Sequence, residues 1–362
     1  MKTGKRRLAA FAVVAATMLL ALVGVAAPAW AEEGSATPHL PVNDNKVTIT
    51  STLTMDKYAV EPNADFKYTI APAEASELTN TGMPATAGVE GAVSLSPSSV
   101  NYSAEGLSSE DNADGNTKTI TAQLSASLDP LMFTAPGIYR YKITQTPPKL
   151  DGLSVTYKEL FLDVYVENGD SGLVAKGCTL NTAAGSGRKT SGFENQYVTH
   201  KLTIEKVVAG NQGDKNKDFG FTVTIKGADG EAYKYATVKN GVTTMNQTTT
   251  NSGATFTEKL KDGESVIVYG LSSEDTFTVT EEDYSSDGYK TSYKIGDDTS
   301  STEGNSTAEK AIGNSDTTVI FTNTKNVTVP TDVIRTVVPY AAIVAFVAVM
   351  GVVFFRPRRN RR

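Results

Sequence analysis

Short runs of alternating apolar and polar residues recur through most of this 362-residue chain. They are rich in Thr, Val and Tyr, and turn-forming Gly, Pro, Asn or Asp separates one run from the next. Successive side chains of a strand point to opposite faces, so each run predicts a β-strand with one buried face. The runs are Val47–Leu53, Phe66–Ile70, Lys118–Leu124, Gly137–Thr144, Leu160–Glu167, Phe193–Tyr197, Leu202–Val208, Phe219–Ile225, Thr255–Leu260, Ser265–Tyr269, Thr276–Thr280 and Thr317–Thr322. Many short strands without a competing helical period predict an all-β chain built from sandwich domains.

A boundary between two domains is predicted near Val198. A Gly- and Ser-rich run at 184–192 precedes a short strand, after which the chain leads directly into Leu202. We therefore expect an N-terminal sandwich over residues 46–198 and a C-terminal sandwich over residues 199–326. The short connection predicts two tandem β-sandwich domains arranged as an elongated rod.

The two ends of the chain carry export signals. Four basic residues, a short apolar run and the small residues around Trp30 predict a signal peptide over residues 1–31, which is favoured over an uncleaved anchor. Residues 32–45 then read as a linker. Near the other end, the uncharged segment 337–355 predicts a transmembrane helix, and the arginine-rich residues 356–362 predict a cytoplasmic tail. The region between the ends is therefore expected on the extracytoplasmic side of the membrane.

The charge and the cysteine content exclude some partners and some kinds of cross-link. The formal net charge is −6, and the cationic residues are concentrated at both ends, so the exported part is strongly acidic. Such a surface disfavours nucleic acid as a partner. Cys178 is the only cysteine, so no internal disulfide can form. We interpret it as a small, partly buried apolar residue, with an intermolecular role as the less favoured alternative.

One strand carries a lysine on its apolar face. Leu202, Ile204, Lys206 and Val208 share one face of their run, so Lys206 points into a core. An ammonium group buried without a partner is too costly to occur casually. Lys206 must therefore be neutral, paired or used up in a reaction.

Two other polar residues end apolar rows in the second domain. Glu281 follows Phe277 and Val279, and Asn323 follows Val319 and Phe321. If the three residues meet, a neutral Lys206 amine could attack the Asn323 amide, with a protonated Glu281 as the acid. From the residues alone, a buried ion pair with a bystander asparagine is the alternative.

Four motifs in this domain resemble one family. They are Lys201-Leu-Thr-Ile-Glu-Lys-Val-Val-Ala-Gly210, Lys217-Asp-Phe219, Thr278-Val-Thr-Glu-Glu-Asp-Tyr284 and Ile320-Phe-Thr-Asn323. In this order they resemble the C-terminal domain of streptococcal-type major pilins with isopeptide-linkage domains, over nearly all of 199–326. The resemblance implies immunoglobulin-like (CnaB-like) sandwiches and an isopeptide bond between Lys206 and Asn323, with Glu281 as the catalytic acid.

The first domain resembles the N-terminal domain of the same pilins but departs from it at the reactive positions. The resemblance rests on Val47-Thr-Ile-Thr50, Pro62-Asn-Ala-Asp-Phe66, Pro136-Gly-Ile-Tyr-Arg-Tyr-Lys-Ile-Thr144 and Phe193-Glu-Asn195. Ser51 occupies the family's lysine position and Gln145 its glutamate position, while Asn195 remains. Because a hydroxyl and an amide supply neither the amine nor the acid, we expect no isopeptide bond here. Lys57 is the less favoured substitute for the missing lysine.

The residues before the apolar tail resemble a sortase sorting signal. Val329, Pro330, Thr331 and Asp332 look like its Val-Pro-Thr-Gly variant, with Asp332 in place of the glycine. The motif lies in segment 327–336 and is followed by the apolar span and the basic tail. The resemblance implies acylation of a sortase at Thr331; a plain membrane-tethered ectodomain is the alternative.

A lysine that joins subunits is expected just before the last strand of the first domain, where related pilins place it. Lys189 is our candidate, and a solvated loop lysine is the competing interpretation.

Acidic residues at 214–218 begin like a calcium loop, but Phe219 occupies the position that requires glycine, so we predict a turn. With no phosphate loop, metal motif or catalytic histidine, we expect no metal, no cofactor and no turnover enzyme.

The sequence thus predicts the structural subunit of a sortase-assembled surface pilus in a Gram-positive bacterium. Its expected partners are a sortase, neighbouring pilin subunits or peptidoglycan, and the membrane before sorting. The rival hypothesis is a monomeric wall- or membrane-anchored adhesin that binds a host surface ligand.

Overall fold

The computed structural model describes residues 40–78, 84–184 and 187–327, together with residues 340 and 343–347. Nearly all of its regular structure is β. Strands of the first part of the chain are β1 (Lys46–Asp56), β2 (Asp65–Pro72), β3 (Thr86–Ala87), β4 (Val93–Ser96), β5 (Ser99–Asn101), β6 (Ser108–Asp111), β7 (Thr117–Leu128), β8 (Gly137–Thr146), β9 (Leu153–Val155), β10 (Glu159–Gly169), β11 (Gly172–Asn181) and β12 (Gly192–Tyr197).

A second set of strands follows after a two-residue connection. It consists of β13 (His200–Ala209), β14 (Phe219–Lys226), β15 (Ala232–Lys239), β16 (Val242–Met245), β17 (Thr250–Asn251), β18 (Thr255–Leu260), β19 (Ser265–Leu271), β20 (Thr276–Glu281), β21 (Lys290–Ile295), β22 (Thr302–Glu303), β23 (Lys310–Ala311) and β24 (Thr317–Thr324). Within the described residues, three short 3₁₀ helices lie at Ala75–Glu77, Pro130–Met132 and Ser285–Asp287.

Each set of strands forms two sheets. The first set gives the order β4-β7-β1-β12-β9, with β6 on β7, and the order β11-β10-β8-β2-β5, with β3 on β8. The second set gives β16-β15-β19-β13-β24-β21-β22, with β17 on β15, and β18-β14-β20-β23. Buried apolar side chains form one cluster within residues 40–197 and another within 202–321. The prediction of an all-β chain with tandem sandwiches is confirmed.

The alternation of side chains explains which residues of β1 and β13, the first strand of each sandwich, are buried. In β1, alternate positions from Val47 to Met55 are buried, and Ser51 belongs to that row. In β13, alternate positions from Leu202 to Val208 are buried in the same way. Each strand pairs in parallel with the last strand of its own sandwich, β12 and β24 respectively. The first and last strands of each domain therefore lie side by side at the centre of a sheet.

The two sandwiches contact each other directly. Lys201 Nζ lies 3.1 Å from Asp56 Oδ2, and the rings of Tyr58 and Tyr269 lie 5.0 Å apart. At a second contact, the backbone N–H and the hydroxyl of Ser273 both donate to Asp151 Oδ2, at 2.9 and 2.7 Å. These contacts hold β1 and its following turn against β13 and β19 of the second domain.

Cys178 is fully buried, not partly buried as the sequence suggested. It lies on β11, where its backbone pairs with that of Leu40. Burial raises the pKa of the Cys178 thiol to about 12. An intermolecular disulfide would need an exposed thiolate, so this position does not suit one.

Several predicted segments lie outside the described residues. These are the signal peptide 1–31, most of the linker 32–45, the sorting residues Val329, Pro330, Thr331 and Asp332, and the tail 356–362. Of the apolar segment 337–355, only residues 340 and 343–347 are described, and they are helical. Among the residues that are described, no helix has the length and apolar character needed to cross a bilayer.

Candidate functional site

Lys206 lies in the middle of β13 with its side chain in the core of the second sandwich. It is 0 % exposed, like Leu202 and Ile204 on the same face. The alternation of the strand forces this orientation, because turning Lys206 outward would expose the whole apolar row. The predicted buried position of Lys206 is where the structure places it.

Asn323 lies beside Lys206 on the neighbouring strand. In the parallel register of β13 and β24, Lys206 is opposite Phe321 and Val208 is opposite Asn323. Asn323 is therefore the diagonal neighbour of Lys206 on the same inward face, within reach of a long side chain. It is also 0 % exposed.

Glu281 reaches the same place from the opposite sheet. It is the last residue of β20, where it is paired with Phe221 of β14, and it is 0 % exposed. Its Oε1 lies 3.0 Å from Lys206 Nζ. We call Lys206, Glu281 and Asn323 the second-domain triad. Three residues that are far apart in the sequence thus meet inside one core.

Aromatic rings surround the second-domain triad. Lys206 Nζ lies 4.2 Å from the centre of the Phe219 ring. The rings of Phe221 and Phe321 meet edge to face at 5.4 Å. Such a lining excludes water, so any charge at the site is stabilised only by its neighbours in the core.

The polar atoms of the second-domain triad are poorly satisfied. Apart from the 3.0 Å contact between Lys206 Nζ and Glu281 Oε1, the polar atoms of Lys206, Glu281 and Asn323 form no well-aligned hydrogen bond with a described residue. Burial lowers the pKa of Lys206 to about 8, and Glu281 opposes this effect. Burial also raises the pKa of Glu281, opposed mainly by Lys206. The amine is thus shifted towards its nucleophilic form and the carboxyl group towards its acidic form.

The first sandwich repeats this geometry with different side chains. In the parallel register of β1 and β12, Ser51 is opposite Phe193 and Leu53 is opposite Asn195. Gln145, on β8, is paired with Tyr68 of β2. Ser51, Gln145 and Asn195 therefore occupy positions equivalent to those of Lys206, Glu281 and Asn323, as the family resemblance implied.

Two tyrosines complete a closed ring of hydrogen bonds in the first sandwich. Ser51 Oγ lies 2.7 Å from the hydroxyls of both Tyr68 and Tyr102. Tyr68 donates to Gln145 Oε1 at 3.1 Å, Gln145 Nε2 donates to Asn195 Oδ1 at 2.8 Å, and Asn195 Nδ2 donates to the Tyr102 hydroxyl at 3.4 Å. All five residues are buried. We call them the first-domain ring.

The sequence did not predict the two tyrosines of this ring. The alternation of Phe66 and Tyr68 on β2 indicates that Tyr68 faces the core, but not which group its hydroxyl meets. Tyr102 follows β5, which the sequence did not reveal as a strand. Lys57, the suggested substitute amine, instead pairs with Asp111 at 3.1 Å near a turn.

Lys189 lies where the sequence placed it, just before β12. The backbone of this segment is held against β11, since Thr182 N donates to Arg188 O and Thr190 N donates to Leu180 O. The Arg188 side chain reaches the hydroxyl of Tyr157 at 3.3 Å. Lys189 is partly exposed and forms no ion pair with any residue that the structure describes.

The suspected calcium loop is a turn in the structure. Asp214 Oδ1 accepts a hydrogen bond from the backbone of Asn216 at 2.9 Å. Over the described part of the chain, no group of three or more His, Cys, Asp and Glu side chains is placed to hold a metal ion. Nothing in this segment therefore identifies a cation site.

Two domain families match the chain. Residues 45–198 match the family described as "Spy0128-like isopeptide containing domain". Residues 200–325 match the family described as "Domain of unknown function (DUF7601)". The family whose description names the isopeptide therefore matches the first domain. In that domain, Ser51 and Gln145 occupy the positions equivalent to Lys206 and Glu281.

Relatives and a solved structure agree on the class of protein. The chain is 31% identical over 332 residues to a Streptococcus pyogenes serotype M1 protein named "Pilin", covering 88% of this chain and 92% of the relative. It is 40% identical over 134 residues to the "Pilus tip adhesin Cpa" of Streptococcus pyogenes, covering 37% of this chain but 18% of that protein. The crystal structure of the major pilin from Streptococcus pyogenes is similar with a TM-score of 0.53 at 28% identity, over 79% of this chain and 100% of the other. The protein belongs to the pilin family.

Proposed function

We propose that this pilin is a structural subunit of a sortase-assembled surface pilus, stabilised by an isopeptide bond that its second domain forms by itself. The bond joins Lys206 to Asn323, and Glu281 is the catalytic acid. The observation that carries the proposal is the convergence of these three unexposed side chains, in which Lys206 Nζ lies 3.0 Å from Glu281 Oε1 and no well-aligned hydrogen bond to another described residue satisfies the group. An ordinary buried ion pair would be stable only with its remaining polar atoms satisfied.

The arrangement supports a balanced reaction. The neutral Lys206 amine attacks Cγ of Asn323, and the protonated Glu281 donates to Oδ1 as the carbonyl bond opens. Glu281 then relays a proton from Nζ to Nδ2, the bond from Cγ to Nδ2 breaks, and the proton on Oδ1 returns to Glu281 as the carbonyl reforms. An amide bond forms, ammonia leaves, and Glu281 ends protonated as it began.

Two physical effects favour this otherwise slow reaction. The fold holds amine and amide side by side on adjacent strands, which replaces a bimolecular encounter by an intramolecular one. Burial shifts the proton from Lys206 towards Glu281, which activates the nucleophile and the acid together. The product occupies the site, so each chain reacts once and the protein is not a turnover enzyme.

Intact mass of the purified protein tests the bond. We expect the mass to be lower than the sequence mass by one ammonia, and Lys206→Ala or Glu281→Ala to restore the full mass. Lys201→Ala, on the same strand, is the control and should keep the loss. An unmodified wild-type mass would overturn the bond, and a loss of two ammonias would overturn our prediction for the first domain.

Assembly into a pilus is proposed to use Thr331 and Lys189. A sortase cysteine attacks the Thr331 carbonyl, the bond to Asp332 breaks, and the Lys189 amine of another copy displaces the cysteine. Support for Lys189 comes from its fixed backbone beside β11 and from the absence of an ion pair with any described residue. Before sorting, segment 337–355 is proposed to hold the precursor in the membrane, and peptidoglycan is the final acceptor at the cell wall.

Wall extracts from cells that produce this protein test the assembly. We expect a ladder of covalent multimers that disappears in Lys189→Ala and persists in Lys176→Ala, an exposed lysine on β11. A ladder that persists in Lys189→Ala would assign the acceptor to another lysine.

The second candidate function is a monomeric anchored adhesin that binds a host surface ligand. The similarity of 134 residues to a pilus tip adhesin favours it. A single protein band in wall extracts, with binding of the purified protein to host cells, would support the adhesin over the pilus subunit.

A further inference from the structure

The chain that leaves the second sandwich is held against the loop that follows β13. After β24, the N–H of Lys325 donates to Ala209 O at 3.0 Å, and the N–H of Gln212 donates to Lys325 O at 3.1 Å. Lys325 thus extends the pairing between the first and last strands beyond β24.

The side chain of Asn211 continues this pairing by one further residue. Its Nδ2 donates to Val327 O at 3.1 Å, and its Oδ1 accepts from the N–H of Val327 at 2.9 Å. A side-chain amide carries the same donor and acceptor as a peptide group, so Asn211 acts as a short piece of strand. The N–H of Asn211 also donates to Asn326 Oδ1 at 3.1 Å.

Gly210 makes this close approach feasible. Its φ is +91°, a conformation that side chains disfavour, and a Cβ at this position would lie 2.2 Å from Lys325 O. The loop can therefore place Asn211 against Val327 only with glycine at position 210.

We propose that Asn211 is a positioning residue for the joint that sorting creates between two copies, because it clamps the chain at Val327. The inference rests on the proposed sorting at Thr331, which lies four residues beyond Val327. Four residues span at most about 14 Å. Without the Asn211 side chain, the last residue held is Asn326, whose Oδ1 still accepts from the backbone N–H of residue 211, and five residues span at most about 18 Å.

The clamp sits next to the proposed cross-link. Asn323 and Val327 are four residues apart on the exit chain, and their partners Lys206 and Asn211 are five residues apart on the strand and loop beside it. Load that enters at the joint between two copies would pass through the clamp to the cross-link. The clamp therefore limits both the reach of the joint and the freedom of the chain that bears the load.

Hydrogen exchange of the full protein tests the clamp. In Asn211→Ala, we expect the Val327 amide to exchange about tenfold faster because its acceptor is lost. The Lys325 amide and the melting temperature should stay unchanged, which separates release of the clamp from a general loss of stability. Asn216→Ala, an exposed asparagine in the same loop, is the matched control and should leave Val327 protected. Equal Val327 exchange rates in wild type and Asn211→Ala would overturn the clamp.

Electron microscopy of the covalent multimers tests its role in the joint. We expect Asn211→Ala to keep the ladder and to broaden the spread of angles between successive copies about 1.25-fold, following the longer reach of the free segment. An unchanged spread would overturn the positioning role alone. Wild-type cells without multimers would overturn the proposed pilus function, and the positioning role with it, while the exchange result would still report on the clamp itself.

Discussion

The two sandwiches have side chains of opposite chemical character at equivalent buried positions. Each has a first strand paired in parallel with its last strand, and a third strand from the other sheet facing that pair. In the first domain the three positions hold Ser51, Gln145 and Asn195, and in the second domain the second-domain triad. The first set is neutral and joined by a network of hydrogen bonds, whereas the second contains an amine and a carboxyl group that contact each other at 3.0 Å without such a network.

This difference shows how few changes separate a reactive core from a stable one. A short serine leaves space that the hydroxyls of Tyr68 and Tyr102 fill, whereas the long Lys206 side chain fills the equivalent space itself. At the position of Tyr68, the second domain has Phe221, which lacks the hydroxyl. The first domain stabilises its core with reversible hydrogen bonds, and the second is proposed to do so with a covalent bond.

The largest effect is expected from Glu281→Gln. The variant keeps the shape of the side chain but cannot serve as the acid. The Asn323 amide should therefore stay intact, and the protein should lose no ammonia. A cross-link between residues 206 and 323 restrains a long segment of the unfolded chain, and by the chain-entropy estimate its loss should cost about 4 to 5 kcal/mol of unfolding free energy. Mass spectrometry and urea unfolding measure both quantities on one sample.

The neighbouring exposed Glu282 provides the control for this experiment. Glu282→Gln should keep the cross-link and the stability of the second domain. A Glu281→Gln protein that still loses ammonia would show that the carboxyl group is dispensable for the cross-link.

A second prediction concerns pH. Asn323→Ala leaves Lys206 and Glu281 as an unlinked buried pair. Because the pKa of Lys206 falls from 10.5 to about 8 on folding, the unfolded chain binds more protons between these values. Stability should therefore rise with pH across this window, by about 3 kcal/mol. The raised pKa of Glu281 has the opposite sign: stability should fall as pH rises from 4.5 through the folded value.

Unfolding of Asn323→Ala measured from pH 7 to 10 would show the predicted rise. The wild-type protein is the control, since a cross-linked Lys206 is an amide that does not titrate. If the difference in unfolding free energy between the two proteins were independent of pH, Lys206 of Asn323→Ala would have to be charged and fully stabilised in the folded core. That result would contradict the prediction. The first-domain ring has no group that titrates near neutrality, so the first domain should not show this dependence.

Much of this comparison could be predicted from the sequence because it depends on strand alternation. The alternating rows placed Lys206, Glu281 and Asn323, and likewise Ser51 and Gln145, on buried faces. The family resemblance then aligned the two sets. Alternation depends only on local spacing, so it does not require knowledge of the tertiary structure.

The remaining contacts could not be read from spacing. The hydroxyl of Tyr102 joins the first-domain ring from a residue that follows a three-residue strand, too short for a clear pattern. The contact of Asn211 with Val327 joins a loop to a chain end that are 116 residues apart. Such contacts depend on turn geometry and on the register of distant strands, which a polar residue in a loop does not reveal.

A third prediction tests whether the first-domain ring stabilises its core. Gln145→Leu removes the acceptor of the Tyr68 hydroxyl and leaves Asn195 Oδ1 without its donor. Buried polar groups without partners are costly, so the first domain should lose about 2 kcal/mol. Gln196→Leu, an exposed glutamine on the same strand as Asn195, is the control for the change of residue type. Unchanged stability would mean that the ring only fills space.

The smallest effect is expected from Tyr68→Phe, which gives the first domain the aromatic ring that Phe221 provides in the second. Ser51 keeps its contact with the Tyr102 hydroxyl, and Gln145 Oε1 keeps the Asn195 amide as a donor at 3.2 Å. Since each partner retains one hydrogen bond, the loss should be about 1 kcal/mol.

Combining Tyr68→Phe with Tyr102→Phe completes a double-mutant cycle on Ser51, measured by urea unfolding. Independent hydrogen bonds would give additive losses, whereas a cooperative ring would make the double variant lose more than the sum, because Ser51 then has neither hydroxyl. We expect the cooperative result, since Ser51 has no other side-chain partner among the described residues. Additive losses of unfolding free energy would mean that each tyrosine hydroxyl contributes its contact with Ser51 independently of the other.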